Sequence, residues 1–175
     1  VCSSDLAIHQ RISDICISLK AEDYLQLPDC TVNDIPVVLD TKAQAQYNRL
    51  EREMLLQVDQ KTIDAGTAAV LSNKLLQLCN GAVYDDQQNV VEIHNCKIEA
   101  FMELVEQLNG QPALVFYNFR HDLPRLEKAL SKTGLRVRRL NGPQDQNDWN
   151  DRKTDILLAH PASCAYGLNL QDGGN

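Results

Sequence analysis

The residues with the most chemical potential lie in one stretch late in the chain, D-I-L-L-A-H-P-A-S-C-A-Y-G-L-N-L-Q, Asp155 to Gln171. Four apolar residues, Ile156 to Ala159, break at His160-Pro161 and give way to small and hydrogen-bonding side chains. That is the pattern of a buried strand followed by a loop at its carboxyl edge, where open parallel sheets hold ligands. Covalent chemistry fits poorly. Ser163 has no G-x-S-x-G elbow and no placed base. Cys164 and His160 are four apart on a loop and do not make a thiol–imidazole pair. A metal centre fits no better. None of the six cysteines forms a C-x-x-C pair, and His94 with Cys96 lacks a second pair of ligands. The loop reads as a noncovalent, ligand-edge loop.

The elements that must position it start at Cys96, where helix and strand patterns alternate. Ile98, Phe101, Val105 and Leu108 mark a helix stopped by Asn109-Gly110. P-A-L-V-F-Y, Pro112 to Tyr117, is continuously apolar, which predicts a parallel strand covered on both faces. Phe119, Leu123, Leu126 and Leu130 mark the next helix, with Pro124 in its first turn and Gly134 ending it. Leu135 to Leu140 is a strand carrying Arg136, Arg138 and Arg139, either a phosphate-binding edge or a solvated face. After Asn141-Gly142-Pro143 a short helix holds Trp149, and Ile156 to Ala159 closes the series. This order predicts a doubly wound sheet.

Upstream the grammar differs. Ile15 to Leu19 and Ile35 to Leu39 read as short strands. Thr41 with Gln44 predicts a capping box opening a helix whose apolar face is Ala43, Tyr47, Leu50, Met54 and Val58. Arg49 and Glu53 lie one turn apart on its exposed side. A second helix is predicted from Thr67 to Cys79, stopped by Gly81, and then a hairpin of Val83-Tyr84 and Val90-Val91. His94 and His121 read as surface or satisfied polar residues.

Composition bounds the function. The 175 residues are 43% hydrophobic and 23% charged, with net charge -7, so a packed domain is expected and bulk electrostatic binding is not. No apolar run approaches the roughly 20 residues of a membrane span. Val1 to Asp5 is polar and lacks an initiator Met, so no signal peptide is expected and the chain reads as a piece of a longer protein.

Four stretches, in order, resemble the Swi/Snf-type branch of superfamily-two helicases, with prokaryotic and phage members nearest. R-I-S-D-I-C-I-S-L-K-A-E-D-Y-L-Q-L-P, Arg11 to Pro28, is similar to the segment closing the first lobe. P-A-L-V-F-Y-N-F, Pro112 to Phe119, is similar to helicase motif four. R-L-N-G, Arg139 to Gly142, is similar to the strand-end turn after it, and H-P-A-S-C-A-Y-G-L-N-L-Q, His160 to Gln171, to motif five. The resemblance covers nearly the whole chain from Arg11 onward.

It implies an α/β fold with an incomplete RecA-like parallel sheet, flanking helices and a helical appendage before it. Residues 1–40 would end the first lobe, 41–95 form the appendage with its hairpin, and 96–175 part of the second lobe. The implied activity is that of an ATP-dependent DNA helicase or translocase, with ATP and magnesium bound by the whole parent and neither by this piece alone. No G-x-x-x-x-G-K-[ST] or D-E-x-H string is present, so no catalytic residue is assigned. Gly167, Asn169 and Gln171 are the implied ATP contacts. Asn118, Asn141, Gly142, His160 and Ser163 are the implied contacts to the DNA backbone, made without reading sequence. The implied partners are DNA and the first RecA-like lobe of the same parent, in the cytoplasm of a prokaryote or phage host. The chain departs from the family at His160-Pro161, where Ser-Thr is usual, and at Cys164-Ala165, where Gly-Gly is usual. Those departures motivate an alternative, a non-catalytic α/β module that binds nucleic acid or a protein partner.

Overall fold

The computed structural model describes residues 31–58, 61–164 and 167–174. The strand expected at Ile15 to Leu19 and the stretch Arg11 to Pro28 lie outside them. The chain divides into two compact units, Val1–Ile35 and Pro36–Asn175, and every element below belongs to the second.

Helix α1 spans Thr41–Glu53. Its cap lies one residue earlier than expected. The Asp40 carboxylate accepts from the Ala43 N–H at 2.8 Å, while Gln44 turns outward to Asn48. Aspartate caps at least as well as threonine and its charge suits the helix dipole, so Asp40 takes the position. That bond is the main reason its carboxyl titrates below the usual range. The expected run from Ile35 to Leu39 makes no ladder. Pro36 interrupts it, Val38 is 84% exposed, and only Leu39 packs inward.

The helix also ends sooner than its apolar spacing predicts. Met54 turns left-handed, and Leu55–Val58 (β1) pairs with Lys61–Asp64 (β2) in an antiparallel hairpin. Leu56 and Ile63 face each other across it and are buried, so a period of two replaces one of 3.6. The helix Ala68–Cys79 (α2) and the hairpin of Ala82–Tyr84 (β3) and Val90–Glu92 (β4) form where expected. Leu50, Leu56, Ile63, Leu78, Val83 and Val91 make one core.

From Cys96 the alternation holds. Its members are α3 (Cys96–Gln107), β5 (Ala113–Phe116), α4 (Asp122–Leu130), β6 (Val137–Arg139), α5 (Pro143–Asn150), β7 (Ile156–Ala159) and a short α6 (Pro161–Cys164). The three strands form a parallel sheet in the order β5-β7-β6. The last strand therefore lies in the middle, and all four of its residues are buried. Ile156 and Leu158 point to Val105 of α3 and to Leu126 and Leu130 of α4. Leu157 and Ala159 point to Leu140, Trp149 of α5, Leu168 and Leu170. The sheet is thus covered on both faces at β7. At β5 it is not: that strand is an edge, only half-buried, with Phe116 53% exposed.

Candidate functional site

All three parallel strands end at the same edge, and the loops that leave it carry the residues expected to touch DNA. Asn118 follows β5, Asn141 and Gly142 follow β6, and His160 and Ser163 follow β7. His160 ties two of these loops together. Its Nδ1 accepts from the Ala162 N–H at 3.2 Å, which leaves the proton on Nε2 to donate to the Asn118 carbonyl at 3.1 Å. The imidazole also stands edge-on to Tyr117, with centroids 5.5 Å apart. His160 is thereby engaged as a strut between loops. Burial pushes the Cys164 thiol pKa up, which disfavours its thiolate.

Asn141, Gly142 and Ser163 share a cleft of about 260 Å³ with Leu140, Gln146 and Leu168. That is smaller than the roughly 300 Å³ at the lower end of drug-sized pockets, and suits a phosphate or sugar better than a whole nucleotide. A carboxylate closes part of the rim. The Asp145 carboxylate accepts from the backbone N–H of both Asn141, at 3.0 Å, and Gly142, at 3.2 Å. A phosphate reaching this turn meets amides already taken, so the Asn141 side chain is its available contact.

Gly167, Asn169 and Gln171 sit beside the same cleft, in an exposed segment strapped to α5. Gly167 has φ +75°, a backbone region that glycine enters without cost. The Asn169 carbonyl accepts from Gln146 and Asn150, both at 2.9 Å, and its side-chain oxygen accepts from the Gln171 N–H at 3.2 Å. Trp149 Nε1 donates to the Leu170 carbonyl at 3.0 Å. Trp149 is a packing residue of this strap, 2% exposed, not a free stacking platform.

The three arginines of β6 and its approach are each spent within the chain. Arg136 pairs with Asp155 at 2.6 Å, Arg138 with Asp148 at 2.9 Å, and Arg139 with Glu127. All three are about half exposed, Arg138 pairing towards α5 and Arg139 towards α4, and they do not make a free phosphate edge.

A buried polar cluster that no local pattern announced anchors the loop after β5. The Asp122 carboxylate accepts from the Phe119 N–H and from Asn80 Nδ2, each at 3.0 Å. Burial opposes its charge, but His121 and these bonds outweigh it and hold its pKa below the usual carboxylate range. Arg125 donates to the carbonyls of Asn80 and His94, each at 2.6 Å, and to the Asn95 side chain at 3.1 Å. Gly81 has φ +99°, and a Cβ there would overlap the His94 carbonyl and the Arg125 guanidinium. His121 is buried between the rings of Tyr84 and Phe119, and its Nδ1 lies 3.1 Å from Asp122 Oδ1.

His94 is buried as well. Its Nε2 bonds the Leu78 carbonyl at 2.8 Å and its Nδ1 accepts from the Cys96 N–H at 3.3 Å. Burial first, and then the Arg125 charge, hold its pKa below the ordinary 6.5. The unfolded chain therefore takes up this proton more readily than the folded one. The contribution is complete above the ordinary value and is lost as pH falls from there through the lowered folded-state value. Urea midpoints are expected to fall as pH is lowered from about 7 to about 5. His94→Gln should flatten that slope relative to the parent chain, and an equal slope in both would contradict the assignment.

Among the described residues no group of three His, Cys, Asp or Glu side chains could hold a metal ion, and no helix is long and apolar enough to cross a membrane.

No protein-family model matches the chain. A curated relative, "Putative protein p41" of Acyrthosiphon pisum secondary endosymbiont phage 1, is 43% identical over 172 residues. The match takes in 97% of this chain and 36% of the relative, so the chain spans about a third of that phage protein's length.

Proposed function

We propose that this chain is the part of a DNA-dependent ATPase of the Swi/Snf type that builds much of its second RecA-like lobe. In that role it supplies one wall of an interlobe ATP cleft and a set of contacts to the DNA backbone. The observation that carries the reading is convergence. Asn118, Asn141, Gly142, His160 and Ser163, drawn from three separate loops, gather at one carboxyl edge of a parallel sheet. The strap bearing Gly167 and Asn169 borders the same cleft. Ligands of open α/β sheets bind at that edge. ATP and magnesium belong to the whole parent, since this chain has no Walker sequence. A relative encoded by a phage fits the prokaryotic or phage origin that the resemblance implies.

Asn169 tests the nucleotide half of the proposal. Its side chain is exposed at the strap, so Asn169→Ala should leave the fold intact. In the full-length protein that substitution is expected to raise the KM for ATP several-fold, about 1 kcal/mol for one lost hydrogen bond. An unchanged KM would remove Asn169 from the nucleotide site.

Asp145, by occupying the Asn141 and Gly142 amides, favours a second reading in which the edge binds a partner without hydrolysis. A full-length protein that binds DNA but hydrolyses no ATP would select it.

A further inference from the structure

Among the described residues, the loops after β6 and β7 that are assigned to the DNA backbone hold no free cation. Asn118, Asn141, Gly142 and Ser163 carry no charge, and both ring nitrogens of His160 are engaged. Arg136, Arg138 and Arg139 are bound to carboxylates. Phosphate affinity in water comes chiefly from cations that displace counterions, so a backbone track made only of amides would hold DNA poorly.

Two cations close to Asn118 have no carboxylate partner among the described residues. Lys97, in the first turn of α3, lines a cavity of about 150 Å³ at the carboxyl end of β5 together with Asn80, Phe116, Tyr117, Asn118 and Asp122. Its ammonium donates to Asn80 Oδ1 at 2.6 Å, a neutral acceptor, and keeps two further protons. Asn80 is held in turn by Asp122, which also fixes the Phe119 N–H. One hydrogen-bonded network therefore positions both Lys97 and the loop that carries Asn118. Arg120 is exposed two residues beyond Asn118, with no hydrogen bond or ion pair among the described residues. Asp122 lines the same cavity, but the residue is only 7% exposed and its oxygens face Asn80, Phe119 and His121. Lys97 and Asn118 are the exposed polar residues of that lining, and Arg120 is exposed on the same loop as Asn118.

We infer that Lys97 and Arg120, flanking Asn118, form a phosphate subsite that grips one strand of a nucleic-acid backbone at the β5 end of the edge. The inference rests on the DNA reading above and extends the contact track to a helix outside all four of the motif-like stretches. The ligand is a phosphodiester, recognised by charge and without base readout.

The test is the salt dependence of duplex binding by the full-length protein, followed by fluorescence anisotropy across a KCl series. Each phosphate contact contributes about 0.9 to the slope of log affinity against log salt. Lys97→Gln and Arg120→Gln should each lower the slope by about that amount, and Lys97→Arg should keep it. Arg139→Gln, whose partner is Glu127, should leave it unchanged. A role for Lys97 in folding alone would weaken binding without moving the slope. Slopes unchanged in both glutamine variants would overturn the subsite and leave the DNA reading standing. A slope lowered as much by Arg139→Gln would show a diffuse charge effect and overturn it too. A full-length protein that binds no DNA would overturn both the subsite and the function on which it rests.

Discussion

Arg125→Leu is expected to cost the folded chain about 2–4 kcal/mol, because it strips the donor from one buried and one partly buried carbonyl at once. The guanidinium reaches the carbonyls of Asn80 and His94 and the side chain of Asn95, and no shorter or singly pointed group spans all three. Each carbonyl left without a donor costs about 1–3 kcal/mol. Asn95 is exposed and can turn to water, so it adds little. Replacing a buried ionic group by a hydrophobic one can be neutral where every partner is replaced together. Here the partners are backbone and stay. Burial pulls the Arg125 pKa down while Glu92 and Asp122 push it up, which marks a cation kept charged at a desolvation cost. Arg125→Lys should recover little of the loss. Urea unfolding monitored by circular dichroism measures both variants, and a loss under about 1 kcal/mol for Arg125→Leu would mean that the cluster does not hold the α2–β3 turn to α4.

The second large effect is at Trp149. Trp149→Ala is expected to cost about 3–5 kcal/mol, the range for emptying a large aromatic site. The indole packs under β7 with Leu140, Leu157 and Ala159, and its N–H holds the Leu170 carbonyl. Gly173 and Gly174 lie against it so closely that a Cβ at Gly173 would overlap the ring. The strap that carries Asn169 is therefore moulded on this side chain. Trp149→Phe separates packing from bonding. It keeps most of the apolar contact, loses the single hydrogen bond, and should cost about 1–2 kcal/mol. If Trp149→Ala were as mild as Trp149→Phe, the strap would owe its position to something else.

What could be read from the sequence was whatever is written locally. Ile156 to Ala159 is a strand because four apolar residues sit between turn signals, and α2 starts at a Thr67 cap and stops before Gly81. The edge loops followed from those elements. Strand order did not. P-A-L-V-F-Y is apolar throughout, yet β7 takes the middle of the sheet and β5 the rim, since an apolar run records burial tendency and not neighbours. Val58 satisfied both a helical and a strand period, and the β1–β2 hairpin decided between them. The polar cluster was illegible for a different reason. Asn80 meets Asp122 across 42 residues and Arg125 across 45. Local spacing shows which side of α4 is apolar but not which distant carbonyl its arginine will find. Asp145 is partly legible: as the third residue of α5 it is placed to reach back to the Gly142 amide, but local spacing does not show that it also takes the Asn141 amide.

The most direct measurement of the central claim is the rate of ATP hydrolysis by the full-length protein that contains this chain, titrated with duplex DNA. A second lobe of the proposed type predicts slow hydrolysis alone and a rate that climbs with DNA to saturation, without regard to its sequence. Hydrolysis that is absent, or indifferent to DNA at every concentration, would contradict it.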